Sequence, residues 1–217
     1  MLRGRSEELH TTLAVCTPVT MDGEATRVSR LGKNGTHFMS IEVRGIQSIS
    51  RIKTLQKDLG NIEGIKNACK EETLHVTMAV LNVEENEEEE MKRKFSVLGD
   101  MYRDILHSKV GFMIFCSRVK FFDHGSVVLP VQVGKELLQV FRDLINENFT
   151  EFIVDGRFIP HISVFRKNTM DDISKEQLGQ SLDGHNTGTL VCENITLRAI
   201  KTTENKSPRE IASESMV

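Results

Sequence analysis

The sequence predicts a mixed helix-and-strand protein built from two similar halves, and three observations carry that reading. A strand–helix–strand unit occurs twice. Each copy closes on an apolar strand that holds a histidine and, two residues on, a hydroxyl side chain. A long amphipathic helix separates the copies. In the first closing strand, residues 74–81, alternation puts His75, Thr77 and Ala79 on one face and Val76, Met78 and Val80 on the other. In the second, residues 160–165, His161 and Ser163 share a face opposite Ile162 and Val164.

Taken in order, residues 1–35 lack sustained periodicity and read as a partly disordered N-terminal extension. The folded domain is expected over 36–201. Residues 38–43 form the first strand. Ile46, Ile49, Ile52, Leu55 and Leu59 recur at helical spacing and stop near Gly60. The His75 strand follows. Residues 84–107 start with a glutamate run that meets Lys92, Arg93 and Lys94 at i, i+4, a solvated helix start with acid at the positive dipole end. Residues 111–116 and 119–122 read as strands. Residues 126–131 open the second unit, where Pro130 argues for an edge or an end of the strand. Leu137, Leu138, Phe141, Leu144 and Ile145 mark its helix, before the His161 strand. Residues 195–200 form the last strand. Residues 202–217 are polar and read as a disordered tail, in which Ser215, Met216 and Val217 fit the carboxyl-terminal pattern that PDZ domains capture.

The 217 residues carry a net charge of −3, which supplies no basic field for non-specific duplex nucleic-acid binding but leaves room for a local phosphate site. Cys16, Cys69, Cys116 and Cys192 are scattered, without a C-x-x-C pair, and read as free thiols of a reducing compartment. No apolar run reaches membrane-spanning length, and the first residues carry neither a signal core nor a myristoylation site. A cytoplasmic or nuclear setting is the expectation. No cluster with metal-ligand spacing appears, so no metal and no cofactor are expected.

The bare tripeptide is uninformative, since five of the seven histidines have Ser or Thr two residues on. His75 and His161 differ from the rest by an adjacent β-branched residue, an apolar residue three on, and matching places in a repeat. Two lobes related by pseudo-symmetry bring such strands together, so that both imidazoles serve one groove. Near neutral pH one ring can accept a proton while the other donates one, and the hydroxyls can hold phosphate oxygens. That set suits in-line displacement at phosphorus. Two other readings stand beside it: a nucleotide-binding or scaffold module without turnover, and a pair of structural histidines.

The motifs Leu74-His75-Val76-Thr77-Met78 and Pro160-His161-Ile162-Ser163-Val164 resemble the paired motifs of the 2H phosphoesterase superfamily. Within it they are most similar to the central domain of A-kinase anchor proteins of the gamma/delta type. His37-Phe38-Met39-Ser40-Ile41, Ile52-Lys53-Thr54-Leu55-Gln56 and Phe158-Ile159-Pro160-His161 resemble that domain in the same order. The resemblance implies an α+β, bilobal fold, two pseudo-symmetric lobes with antiparallel sheets lining a central groove. It implies a hydrolase: a metal-independent phosphodiesterase for a 2′,3′-cyclic or 2′,5′-linked nucleotide or RNA end, or an AMP-binding module. His75 and His161 match the catalytic histidines, and Thr77 and Ser163 the phosphate-binding hydroxyls. Phe165 is a candidate to stack a base and Arg166 to reach a phosphate. Kinase anchoring is not expected, because the tail is too short and polar for an anchoring helix.

Overall fold

Each half of the chain starts with a strand that turns into a helix through a left-handed glycine. β1 (His37–Arg44) runs through Gly45, at φ 90°, into α1 (Ile46–Gly60). A 3-10 turn at Glu71–Thr73 leads to β2 (His75–Leu81). Between the units come α2 (Glu88–Leu106), β3 (Phe112–Cys116) and the two-residue β4 (Lys120–Phe121). The second unit repeats the first. β5 (Val127–Val133) runs through Gly134, at φ 86°, into α3 (Lys135–Phe149), and β6 (His161–Phe165) follows. β7 (Gly188–Ala199) and β8 (Arg209–Ser215) complete the order. At Gly134 a Cβ would stand 3.1 Å from the Met113 carbonyl oxygen, so backbone angle and space both demand glycine. The computed structural model describes residues 33–62, 64–106, 112–116, 119–122, 125–154, 156–166, 188–200 and 208–216. Residues 1–32 of the expected extension lie outside the described residues.

The sheet runs β1-β2-β6-β5-β3-β7-β8, and β1 also pairs with β7, which closes six antiparallel strands into a ring. β8 extends the sheet beside the C-terminal part of β7, and β4 lies against β5. The two units meet at β2 and β6 through one register pair, Val76 opposite Ile162, whereas β1 and β2 share six. So short a ladder leaves the strands free to part on either side of it.

Of the apolar faces anticipated for β2 and β6, Val76, Met78, Ile162 and Val164 are buried, but beyond Met78 the alternation in β2 reverses, so that Ala79 is buried and Val80 only half-buried. Ile49, Ile52, Leu55 and Leu59 of α1 pack into the same core, as do Leu138, Phe141, Ile145 and Phe149 of α3. Each such side chain contributes about 1.5–3 kcal/mol by leaving water. α1 contacts β6, and α3 contacts β2, so each helix braces the histidine strand of the opposite unit.

Two expectations need correction. The tail is not a disordered segment: Arg209–Ser215 is β8, paired along β7 from Ala199 to Asn194. Its composition is polar because it lies at the sheet's edge, with Ile211, Ala212 and Glu214 partly buried and its other residues exposed. The folded unit therefore continues past residue 201. Ser215 is in that ladder, and Met216 is fully buried with its N–H donated to the Glu193 carbonyl at 2.8 Å, so these two residues do not present a PDZ-type ligand. Val217 lies outside the described residues. The second correction concerns Pro130, which stands inside β5 opposite His161. The Val131 N–H points to the Pro160 carbonyl of the β6 side, so position 130 faces the other edge. There the ladder is interrupted between β4, which pairs residues 127–128, and β3, which pairs from 131. The missing N–H of proline falls in that gap.

Candidate active site

His75 and His161 are the first residues of β2 and β6. Because Val76 faces Ile162 in antiparallel register, one step outward aims His75 toward Ser163 and Thr77 toward His161. All four side chains share one face and are half-buried, while the residues between them are sealed in the core. The structure thus brings the four motif residues together on one side of the β2–β6 seam.

The two rings are anchored alike. Nδ1–H of His75 donates to the Thr73 carbonyl at 2.7 Å, and Nδ1–H of His161 donates to the Ile159 carbonyl at 2.7 Å. A carbonyl oxygen can only accept, so each bond fixes the tautomer and makes Nε2 the basic nitrogen. Their surroundings differ. His75 stacks on Phe38, with centroids 5.3 Å apart, and burial pushes its pKa down to about 4. The positive fields of Arg166, Arg198 and His161 add to that shift, while the Thr73 carbonyl opposes it. His161 meets the edge of Phe122 at 4.7 Å between centroids. It lines a cavity with Thr77, Phe122, Arg142, Arg157 and Phe158.

Each histidine strand carries a one-residue bulge three positions after the histidine. Against β1, Thr77 pairs with Ser40 and Ala79 with Met39, so Met78 is the extra residue. Against β5, Ser163 pairs with Val128 and Phe165 with Val127, so Val164 is the extra residue. The opposite unit's helix pins both bulges. Arg142 of α3 donates from a guanidinium nitrogen to the Met78 carbonyl at 2.6 Å, and Gln56 of α1 donates Nε2–H to the Val164 carbonyl at 2.9 Å.

The bulge corrects one candidate. Phe165 does not share the groove face with His161 and Ser163. The extra residue at Val164 reverses the alternation and turns Phe165 into the core, where 2% of it is exposed. Arg166 follows it at the surface, hydrogen-bonds Cys69 through its side chain and contributes to the field at His75.

Several groups here escaped the sequence reading. Glu42, directly opposite His75 on β1, is buried and ion-paired to Arg44 and Arg198. Phe38 and Phe122 contact the two imidazoles. Arg142 is buried among the apolar positions of α3, four residues after Leu138 and three before Ile145. A cation in the middle of an apolar stripe was the available signal. Among the described residues no group of His, Cys, Asp and Glu side chains is arranged to hold a metal ion, and no helix is long and apolar enough to cross a membrane.

The sequence pattern of the AKAP7 2'5' RNA ligase-like domain matches residues 35–207. The chain belongs to that family. The solved structures it resembles place the AKAP7-like domain on the fold of the 2H phosphoesterases. LigT of E. coli in complex with NADP+ is 17% identical with a TM-score of 0.57, the likeness covering 83% of this chain and 97% of that one. LigT complexed with 3'-AMP gives 16% and 0.57 over the same shares. The protein TT0787 of Thermus thermophilus gives 15% and 0.58, again over 83% and 97%. At these identities the likeness is one of fold. Among curated proteins none matches the chain.

Proposed function

We propose that the AKAP7-like domain is a metal-independent phosphodiesterase acting on a 2′,3′-cyclic or 2′,5′-linked nucleotide or RNA end. The observation that carries this reading is the pair of imidazoles at the β2–β6 seam, each held by its Nδ1–H with Nε2 as its basic nitrogen. His75, neutral across the physiological range, takes the proton of the attacking water or hydroxyl through Nε2. His161 in its charged form gives a proton to the leaving oxygen. The Thr77 and Ser163 hydroxyls donate to the non-bridging oxygens as charge builds there, and Arg166 supplies positive field. The match to a 2'5' RNA ligase-like family, and a fold shared with structures solved with 3'-AMP and ATP, support a nucleotide ligand.

A second reading, nucleotide binding without turnover, is favoured by the depth of the shift at His75, since an imidazole titrating at about 4 is a weak base. Incubation with 2′,5′-linked diadenylate and adenosine 2′,3′-cyclic phosphate in excess chelator separates the readings. Product that disappears in both His75→Ala and His161→Ala supports the phosphodiesterase. Saturable AMP binding without product supports the second reading, and full activity in either variant refutes the assigned mechanism.

A further inference from the structure

His75 has two supports, the Thr73 carbonyl that accepts from its Nδ1–H at 2.7 Å and the Phe38 ring stacked on the imidazole. Arg198 reaches both. Thr73 closes the 3-10 turn Glu71–Thr73, and a guanidinium nitrogen of Arg198 donates to the Glu72 carbonyl in the middle of that turn, at 3.4 Å. In the β1–β7 ladder Arg198 stands opposite Phe38, and from there its guanidinium reaches Glu42, four residues along β1 and directly opposite His75. The side chain therefore runs along the same stretch of β1 that Phe38 spans to meet the imidazole.

Arg198 is itself held firmly. It lies largely inside the protein, fixed from within by the buried Glu42 and on its outer side by Glu210 of β8 at 3.2 Å. A planar guanidinium, with its donors in a rigid fork, can serve two carboxylates and a carbonyl at once; an ammonium on a flexible stem cannot. The other flank of the turn is tied to α1 by Lys53, which meets Glu71 at 2.5 Å. Both members of that pair are exposed, and an exposed pair holds weakly. The firm support of the turn comes from Arg198.

We propose that Arg198 is a positioning residue for His75: anchored on Glu42, it holds the turn whose next carbonyl keeps the imidazole proton on Nδ1 and the lone pair on Nε2. The role rests on the acid–base reading above and adds to it the residue that sets the base. When the turn slackens, the Nδ1–H bond is lost and the proton is free to move to Nε2. A ring in that form has no lone pair for the attacking water or hydroxyl. The C-terminal strand belongs to the same row of contacts, since Glu210 of β8 stands opposite Arg198 and is ion-paired to it.

Long-range proton–nitrogen NMR spectra near neutral pH, where His75 is uncharged, read the tautomer without any substrate. In the native protein both His75 and His161 should show the Nδ1–H form. Arg198→Met should turn His75 into a mixture with the Nε2–H form and leave His161 as it is. It should also lower kcat about tenfold while KM stays within about twofold, as expected for a misplaced base. Arg198→Lys keeps a charge beside Glu42, which protects the fold, and should show the same change of tautomer. Arg166→Met is the control. It removes a larger share of the positive field at His75, but Arg166 donates to Cys69 rather than to the turn, so the Nδ1–H form should persist. An unchanged tautomer in a folded Arg198 variant, or the same change in Arg166→Met or at His161, would overturn the positioning role. A change of tautomer in a protein that forms no product would leave that role standing and refute the phosphodiesterase instead.

Discussion

The two strand–helix–strand units are alike in backbone and unlike in environment. Both enter a 15-residue helix through a left-handed glycine, both begin the next strand with a histidine anchored at 2.7 Å, and both bulge three residues later. Around that common frame the first unit stacks His75 on Phe38 within the fields of Arg166 and Arg198, while the second leaves His161 at the edge of Phe122 beside a cavity. Repetition places two chemically identical groups on one face. The packing around each ring then separates their environments, favouring a neutral imidazole at His75. A pair of identical side chains becomes an acid and a base only through such asymmetry.

The comparison breaks most readily at the histidines themselves. Each of His75→Ala and His161→Ala should lower kcat by roughly 10²–10⁴-fold in a chelator-containing assay, since each removes one proton transfer. A loss confined to one variant would mean that the other unit is a structural echo.

The bulge pins give the next largest effect, and they should be unequal. The Val164 carbonyl accepts from both Gln56 and the Cys69 N–H, so Gln56→Leu leaves it satisfied and should cost about 0.5–1.5 kcal/mol. Arg142→Met strips the guanidinium from the buried Met78 carbonyl and should cost about 1–3 kcal/mol. Denaturant melts measure both, and equal costs would remove the inferred asymmetry of the pins. At the strand-to-helix turns, Gly134→Ala meets strain and a 3.1 Å contact, whereas Gly45→Ala meets strain with no neighbour nearer than 3.6 Å. Both should lose on the order of 1–2 kcal/mol in the same melts, with Gly134 the worse.

The smallest effect lies in pH. A base titrating at about 4 keeps kcat/KM on its plateau well below the ordinary histidine pKa, and the acid limb should fall near that value. Arg166→Met, by removing a nearby positive charge, should move the limb upward by less than one pH unit. The same shift has a consequence for folding. The unfolded chain protonates His75 near 6.5 while the folded chain resists until about 4. Its contribution to stability is therefore complete above 6.5 and declines as pH falls through that window.

Much of this was legible in the sequence, for a local reason. Alternation in residues 74–78 and 160–164 records which side chains leave water, and the stripes at Ile49 to Leu59 and Leu138 to Ile145 record the same for helices. What the pattern does not encode is pairing. Closure of the ring through β1 and β7 joins residues more than 140 positions apart and has no local signature. The bulge at Val164 adds a residue without changing composition, which is why Phe165 reads as a groove residue and lies in the core. β8 reads as a tail because it is polar, and it is held instead by its ladder and by the buried Met216. Glu42 and Arg142 contradict the apolar pattern of their own elements, and the partners that hold them across the fold, Arg198 and the Met78 carbonyl, come from elsewhere in the chain.

The central claim is that β2 and β6 bring two imidazoles to one anion. Its most direct test is an NMR titration of the His75 and His161 ring signals against pH, with and without saturating adenosine 2′-monophosphate. The account predicts that His75 titrates near 4 in the free protein and that the phosphate raises the pKa of both rings together. A response of only one ring, or of neither in a protein that binds the nucleotide, would contradict it.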